Sequence, residues 1–398
     1  MNFALRCVPA VSLSYAAFSA PAVAETSSGV SVSASTGFDT NPFSGVSNDR
    51  EVASFRLEIA PSLSHSDGVT EINVQTRVEH VEYLGKFDSA QNLSTSIAAQ
   101  HRVNERITVT ANLGLASTKS QSDFIELQNI PGQPLNPGLP DVLVDDITLL
   151  GRQTRRTSVT AGSSIVYRPS QFDEVSFSSN LNFQRYPKNS GLDDYDFASQ
   201  SFSYSRVIDE GTSLGGALEY SVGDFKYIRF GDATTLSPKF LINARLSSQF
   251  ELNSTLGASF TRVTTPQGEL NVTAIAGSAS LCYRGAQNNF CLSGQRQTVP
   301  TAIGGVRMIT SLGTSYSVKL SSRDTFQSST SYSRASAPII GGTTSFESVR
   351  VFGRLERRLN DRSRVFVSGA YSNSSDTFAT KRSNIQALLG ITIRYGRR

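Results

Sequence analysis

From Gly29 onward, apolar and polar residues alternate with a period of two in segments separated by turn-rich breaks. Near residue 75, Ile72, Val74, Thr76 and Val78 form one face, and Glu71, Asn73, Gln75, Arg77 and Glu79 the other. Near the C-terminus, Ala387, Leu389, Ile391, Ile393 and Tyr395 oppose Gln386, Leu388, Gly390, Thr392 and Arg394. Successive side chains of a strand point to opposite sides, so each segment has one apolar and one polar face. The pattern predicts eighteen strands, near 29–38, 51–64, 69–83, 91–101, 105–116, 152–168, 174–186, 195–207, 212–223, 237–249, 253–263, 269–284, 289–298, 305–320, 324–334, 344–358, 362–373 and 384–395. Strands of soluble sheets run to about 5–6 residues. These are long enough to cross a bilayer obliquely, which takes about 9–11.

The breaks alternate in length. Short polar turns centre near Asp67, Asn104, Gln171, Asp209, Glu251, Gln287, Arg323 and Asn360, at intervals of 36–42 residues apart from one of 67 that holds an insertion at 117–151. Longer breaks lie between them, among them 39–50, 84–90, 187–194, 224–236 and 335–343. Short turns at one end and long loops at the other is the layout of an outer-membrane barrel. In lipid a sheet must close on itself, because a free backbone N–H finds no partner there. The predicted fold is therefore all-β: a transmembrane, antiparallel, up-and-down β-barrel of about 18 strands (16–20), with periplasmic turns, extracellular loops and both termini in the periplasm.

Composition fits this pattern. Of 398 residues 38% are hydrophobic, and 37 Lys+Arg nearly balance 33 Asp+Glu. With no basic cluster, the chain does not read as a nucleic-acid binder. Past the N-terminus no apolar run is long enough for a membrane helix. Residues 1–24 read as a cleaved signal peptide, with Arg6, a small apolar stretch and the Ala22-Val23-Ala24 site before Glu25. Residues 25–398 are then a single barrel domain in the bacterial outer membrane, where disulfides are permitted. Cys282 and Cys291 flank the turn near Gln287 and share the inward parity, so a symmetric hairpin sets them opposite each other as a disulfide. With three His and no G-x-S-x-G elbow, the sequence reads as no enzyme, and no cofactor or metal is expected. The acidic Asp193-Asp194-Tyr195-Asp196 stretch reads as a solvated loop.

With no Trp, the interfacial girdles fall to Tyr and Phe: Tyr167, Tyr283, Phe290 and Tyr395 near the short turns, Tyr83, Tyr186, Tyr220, Phe260 and Tyr371 near the long loops. Gly390, Ile393 and Tyr395 resemble the C-terminal assembly signal of outer-membrane barrels, though Gly396-Arg397-Arg398 follows the aromatic. The first strand closes on Asp39-Thr40-Asn41-Pro42-Phe43, an Asx-Pro turn. That segment resembles the opening of the β-barrel porin 2 family. The resemblance implies a porin-like channel, with family members also near exopolysaccharide machinery, and it carries over no catalytic residue.

If apolar faces meet lipid, the lumen is lined by Arg56, Arg77, Arg156, Arg245, Arg307, Arg350, Arg354, Arg358 and Arg364, among others. Guanidiniums along a narrow aqueous path favour anions; paired with carboxylates, they brace the wall instead. In the insertion, the third long loop, Asp141, Asp145 and Asp146 follow a Pro- and Gly-rich run. That loop either folds inward as a constriction facing the wall arginines or stays outside. The primary expectation is passive diffusion of small hydrophilic solutes, anionic ones among them, with a weak anion preference. The alternatives are an export conduit for an acidic exopolysaccharide and a non-conducting structural or adhesive barrel. Expected partners are outer-membrane lipid, lipopolysaccharide, the barrel-assembly machinery and, as in many porins, further copies of the chain. Deleting 122–147 should raise single-channel conductance in planar bilayers, whereas unchanged conductance would place the loop outside the pore.

Overall fold

A computed structural model describes residues 24–43, 51–85, 87–119, 154–226, 232–265, 268–301, 305–336, 345–376 and 382–397. The signal segment and most of the third loop, with Asp141, Asp145 and Asp146, lie outside them. The strands are β1 (Glu25–Asp39), β2 (Val52–Ser66), β3 (Thr70–Tyr83), β4 (Ala90–Arg102), β5 (Ile107–Thr118), β6 (Arg156–Tyr167), β7 (Asp173–Arg185), β8 (Tyr195–Val207) and β9 (Thr212–Phe225). They continue with β10 (Asp232–Arg245), β11 (Phe250–Thr265), β12 (Gly268–Arg284), β13 (Asn288–Pro300), β14 (Val306–Lys319), β15 (Asp324–Ala335), β16 (Phe346–Arg358), β17 (Ser363–Asp376) and β18 (Arg382–Arg397). Every strand pairs antiparallel with its sequence neighbours, and β1 pairs with β18 as well as β2, so the eighteen form one closed sheet.

The alternation sorts as the sequence predicts. On β16, Val349, Val351 and Leu355 are exposed on the outer face, while Ser348 and Phe352 are buried on the inner. On β17, Val367 is exposed and Phe366 buried. A continuous band of exposed apolar side chains thus surrounds a closed sheet, which is how a chain crosses lipid without leaving backbone groups unpaired. Among the described residues no helix is long and apolar enough to span a membrane. The protein is a bacterial outer-membrane barrel.

Seven of the eight short turns share one local chemistry: a short polar side chain at the turn's start accepts backbone N–H groups two or three residues on. Asp67 takes Val69 and Thr70 (2.9 and 2.5 Å) and Asn104 takes Arg106 and Ile107 (2.9 Å each). Asn360 takes Arg362 and Ser363 (2.9 and 2.8 Å). Ser170, Ser247 and Ser321 do the same through their hydroxyls, and Asp209 takes Gly211. At the two aspartates these bonds favour the ionised form. The backbone N–H groups of Thr70 and Val69 hold the Asp67 carboxyl below the ordinary aspartate range, and that of Gly211 does the same for Asp209.

Four details differ from the sequence reading. The fifth turn spans 246–249, four residues before Glu251, because Ser247 is the capping residue and Glu251 is a strand residue paired with Arg284 at 3.1 Å. β10 begins at Asp232 rather than near 237 and runs through Pro238. That proline pairs with Leu218 of β9 but leaves a gap in the ladder to β11, the side on which a strand proline is tolerated. The connection between β11 and β12 at the long-loop end shrinks to two residues. Finally, Tyr83 is no girdle residue: it is buried on the inner face with Phe43 and Phe87, and Tyr186 packs against the buried cluster at Tyr195 and Phe225.

The closing seam joins the two ends of the chain. Asp39-Thr40-Asn41 grips the start of β18: Thr40 N–H donates to Ile385 O (2.9 Å), Ile385 N–H to Thr40 Oγ1 (2.8 Å) and Asn41 N–H to Asn384 Oδ1 (2.7 Å). Further along the seam, Gly390, Ile393 and Tyr395 face Ser35, Val32 and Val30. Gly390 leaves room for the inward Phe366 ring, which a Cβ there would meet at 2.5 Å.

At Gly257 a Cβ would lie 1.9 Å from the Pro238 carbonyl oxygen, a backbone atom with no freedom to move aside. Gly257→Ala should therefore lower the urea unfolding midpoint in vesicles by an amount equivalent to about 1–3 kcal/mol, the usual cost of overpacking, while Gly216→Ala, where a Cβ has room, should leave it nearly unchanged.

Candidate functional site

The lumen wall begins with a buried ion-pair ladder across β18, β1, β2, β3 and β4. Asp39 (0% exposed) accepts Gln386 Nε2 at 2.7 Å and the Ser54 hydroxyl at 3.3 Å, and Arg56 Nη2 lies 3.7 Å from it. Arg56 (4% exposed) also reaches Glu79 Oε1 at 3.8 Å, and Arg77 lies 2.7 Å from Glu58 and 3.7 Å from Glu79. Asn92 Nδ2 donates to Glu79 at 3.0 Å and its Oδ1 accepts the Lys119 N–H, which ties the ladder to the outer end of β5. Three carboxylates face two guanidiniums here. Arg56 and Arg77 are thus tied into the wall.

A second cluster on β16–β18 has the opposite balance. Glu356 accepts Arg364 Nη1 at 2.7 Å and Arg354 Nη2 at 3.2 Å, and the Arg354 guanidinium sits 4.0 Å from the Phe366 ring centre. Phe366 in turn fills the space over Gly390. With Arg350 on the same inward parity of β16, three guanidiniums accompany one carboxylate. The facing wall is mostly neutral: hydroxyl pairs Thr110–Ser164, Ser176–Ser203, Thr255–Ser278 and Ser311–Ser333 span neighbouring strands at 2.6–3.1 Å. The one inward lysine of β10, Lys239, pairs with Glu219.

The remaining arginines sit nearer the ends. Arg245 and Arg358 are exposed at the short-turn end, where Arg358 Nη2 donates to Ser322 O. Arg156 starts β6 opposite Thr118 at the long-loop end. Arg307 is 3% exposed, donates to Ser336 O at 3.0 Å and lies 5.4 Å from the Phe346 ring centre. His65 and His101 spend their rings on Thr26 and Thr70, and His80 pairs with Glu82 on the outer face. Asp194 acts as a loop staple, accepting the Tyr186 N–H at 2.8 Å, and Asp196 pairs with Arg185.

At the mouth the wall does something the sequence pattern does not show. β12 and β13 pair over eight positions, from Gly277–Arg296 to Arg284–Asn289, while every other neighbouring pair has at least ten. Cys282 and Cys291 stand opposite each other within this short ladder, joined as a disulfide. Beyond Gly277 the strands part. β12 continues beside β11, whereas β13 continues beside β14 and moves inward. The Thr298 hydroxyl reaches Ser259 of β11 at 3.4 Å, across β12. A Cβ at Gly223 of β9 would lie 3.9 Å from Pro300. Val306 packs with Tyr195, Phe225, Ala233 and Val263, and Thr301 and Ile309 are 0% exposed. The outer end of the β13–β14 hairpin is therefore folded into the mouth, over the inner faces of β8–β11. Val299 and Ile309 fall on the inward parity and Val306 on the outward one, so the bend lays both faces of the hairpin's outer end against protein, which alternation alone does not show.

No family model and no curated protein match the chain. Solved structures share its general outline at low similarity. They include Pseudomonas aeruginosa OpdK with vanillate (12% identity, TM-score 0.47, covering 93% of this chain and 99% of that one) and P. aeruginosa OccK2 with glucuronate (12%, 0.48, 94% and 99%). Acinetobacter baumannii OccAB2 is similar at 10% identity and TM-score 0.47, over 94% and 98% of the two chains. At that level the likeness carries no inference about the solute.

Asp39→Ala should leave Arg56 buried without its first carboxylate and cost about 3–5 kcal/mol of unfolding free energy. Arg245→Ser, at the exposed end, should stay within about 0.5 kcal/mol of wild type. Urea titration of both variants in vesicles checks the contrast; equal losses would contradict the ladder's structural role.

Proposed function

We propose that this barrel is a passive channel for small hydrophilic solutes, narrowed at its outer mouth by the inward β13–β14 hairpin. The observation that supports this most is the inner face: from the turns to the mouth it presents hydroxyls, amides and cross-linked charges, groups that keep water in a pore. Any anion preference is weak. The guanidinium excess on β16 and β17 favours anions, and the carboxylate excess on β1–β3, only β18 away, offsets it. A plugged, non-conducting barrel is the second reading, favoured by the apolar packing of Val306 and Ile309 at the mouth.

Purified protein in a planar bilayer under a KCl gradient separates the two. The channel reading predicts discrete conductance steps with a small anion-selective reversal potential. Replacing Arg350, Arg354 and Arg364 together by Ser should move that potential toward the cation side. Folded barrels without any conductance would overturn the channel reading; conductance with an unmoved reversal potential would remove these arginines from the ion path.

A further inference from the structure

The parting of β12 from β13 leaves a distinctive place on the lipid side of the wall. Leu256, Gly277 and Arg296 stand side by side across β11, β12 and β13. All three have the outward parity, and Gly277 offers no side chain between the other two. Above them β13 has turned inward, so no described residue flanks the outer edge of β12. Ile275 and Leu256, 67% and 63% exposed, are the most open of the large exposed apolar side chains. Among the described residues, the β12 backbone from Glu269 to Ala276 has no strand partner on this side. The Ala274 carbonyl accepts an extra hydrogen bond, from the Ser259 hydroxyl at 3.4 Å.

Arg296 is exposed at the base of this fork. Among the described residues its guanidinium makes no ion pair or hydrogen bond. The other outward arginines near the long loops are paired: Arg262 with Glu269, Arg334 with Glu347 and Arg185 with Asp196. Eight steps up a strand of ~3.3 Å rise and ~40° tilt put Arg296 about 20 Å from the short-turn end, within the outer leaflet. A lone guanidinium and an unpaired strand edge are both disfavoured in lipid unless a polar group meets them.

We propose that the fork between β12 and β13 binds a phosphate-bearing lipid of the outer leaflet. Arg296 holds the phosphate, for which a planar guanidinium is well matched. The slot over Gly277 admits the headgroup beside Ile275, and an acyl chain runs past Leu256 toward the middle of the bilayer. The lipid thereby closes, on the membrane side, the gap that the inward hairpin opens in the wall.

Native mass spectrometry of the full-length barrel in detergent micelles, titrated with lipid A, tests this. Wild type should carry one lipid A, and Arg296→Ser should bind about tenfold more weakly, the scale of one charge-assisted contact. Arg296→Lys should restore part of the binding, and Arg334→Ser, which removes a paired arginine, should bind like wild type. Lipid A stripped of its phosphates should bind wild type as poorly as lipid A binds Arg296→Ser. Equal binding by Arg296→Ser and wild type, or by the two lipids, would overturn the proposal. Displacement of lipid A by inorganic phosphate would reassign the site to a free anion. Should Arg296→Ser fail to fold on a heat-modifiability gel, the comparison of the two lipids on wild type decides.

Discussion

A backbone amide surrounded by hydrocarbon has no water to turn to, and every other feature of this barrel answers that constraint. It forces closure, and closure demands that residues 39–41 meet residues 384–386, more than three hundred positions away. The seam is held by side chains as well as by its ladder: Thr40 exchanges hydrogen bonds with Ile385, and Asn384 caps the Asn41 N–H. Asp39 bonds Gln386 on one side and faces Arg56 on the other. A short Asx-Pro segment thus ends a strand, fixes the seam and sends Phe43 inward onto Tyr83 and Phe87.

The same constraint explains why the β12–β13 fork is unusual. A sheet in lipid gains nothing by opening, so the parting must be compensated within the protein and around it. Inside, the displaced hairpin buries Val306 and Ile309 against neighbouring walls. Nearer the short turn, the Cys282–Cys291 disulfide cross-links the two strands within their short ladder. The mouth is narrowed by the wall itself, through a bend in two strands.

Much of the fold is legible in the sequence because membrane strands obey one rule along their whole length. β16 is read correctly from Val349, Val351 and Leu355 alone, since every aliphatic side chain of that strand faces outward. Turn positions are legible where an Asp, Asn or Ser caps them, and misplaced by four residues where Ser247 was less conspicuous than Glu251. The site was less readable. Arg56, Arg77 and Arg364 look like pore-lining charges until the register sets Glu79, Glu58 and Glu356 beside them, and register depends on turn geometry that parity does not encode. The inward hairpin was hidden for a related reason: alternation states which face a residue takes and nothing about where the strand itself travels.

The central claim is that one parity of each strand meets lipid and the other meets water. Spin labels placed singly at 348–356 on β16 of the vesicle-reconstituted protein, in a background without Cys7, Cys282 and Cys291, test it directly. Collision rates with oxygen and with a water-soluble nickel complex should alternate with a period of two. Val349, Val351 and Leu355 should favour oxygen, and Arg350, Arg354 and Glu356 the nickel complex. Uniform accessibility along the strand, or the opposite phase, would contradict the account.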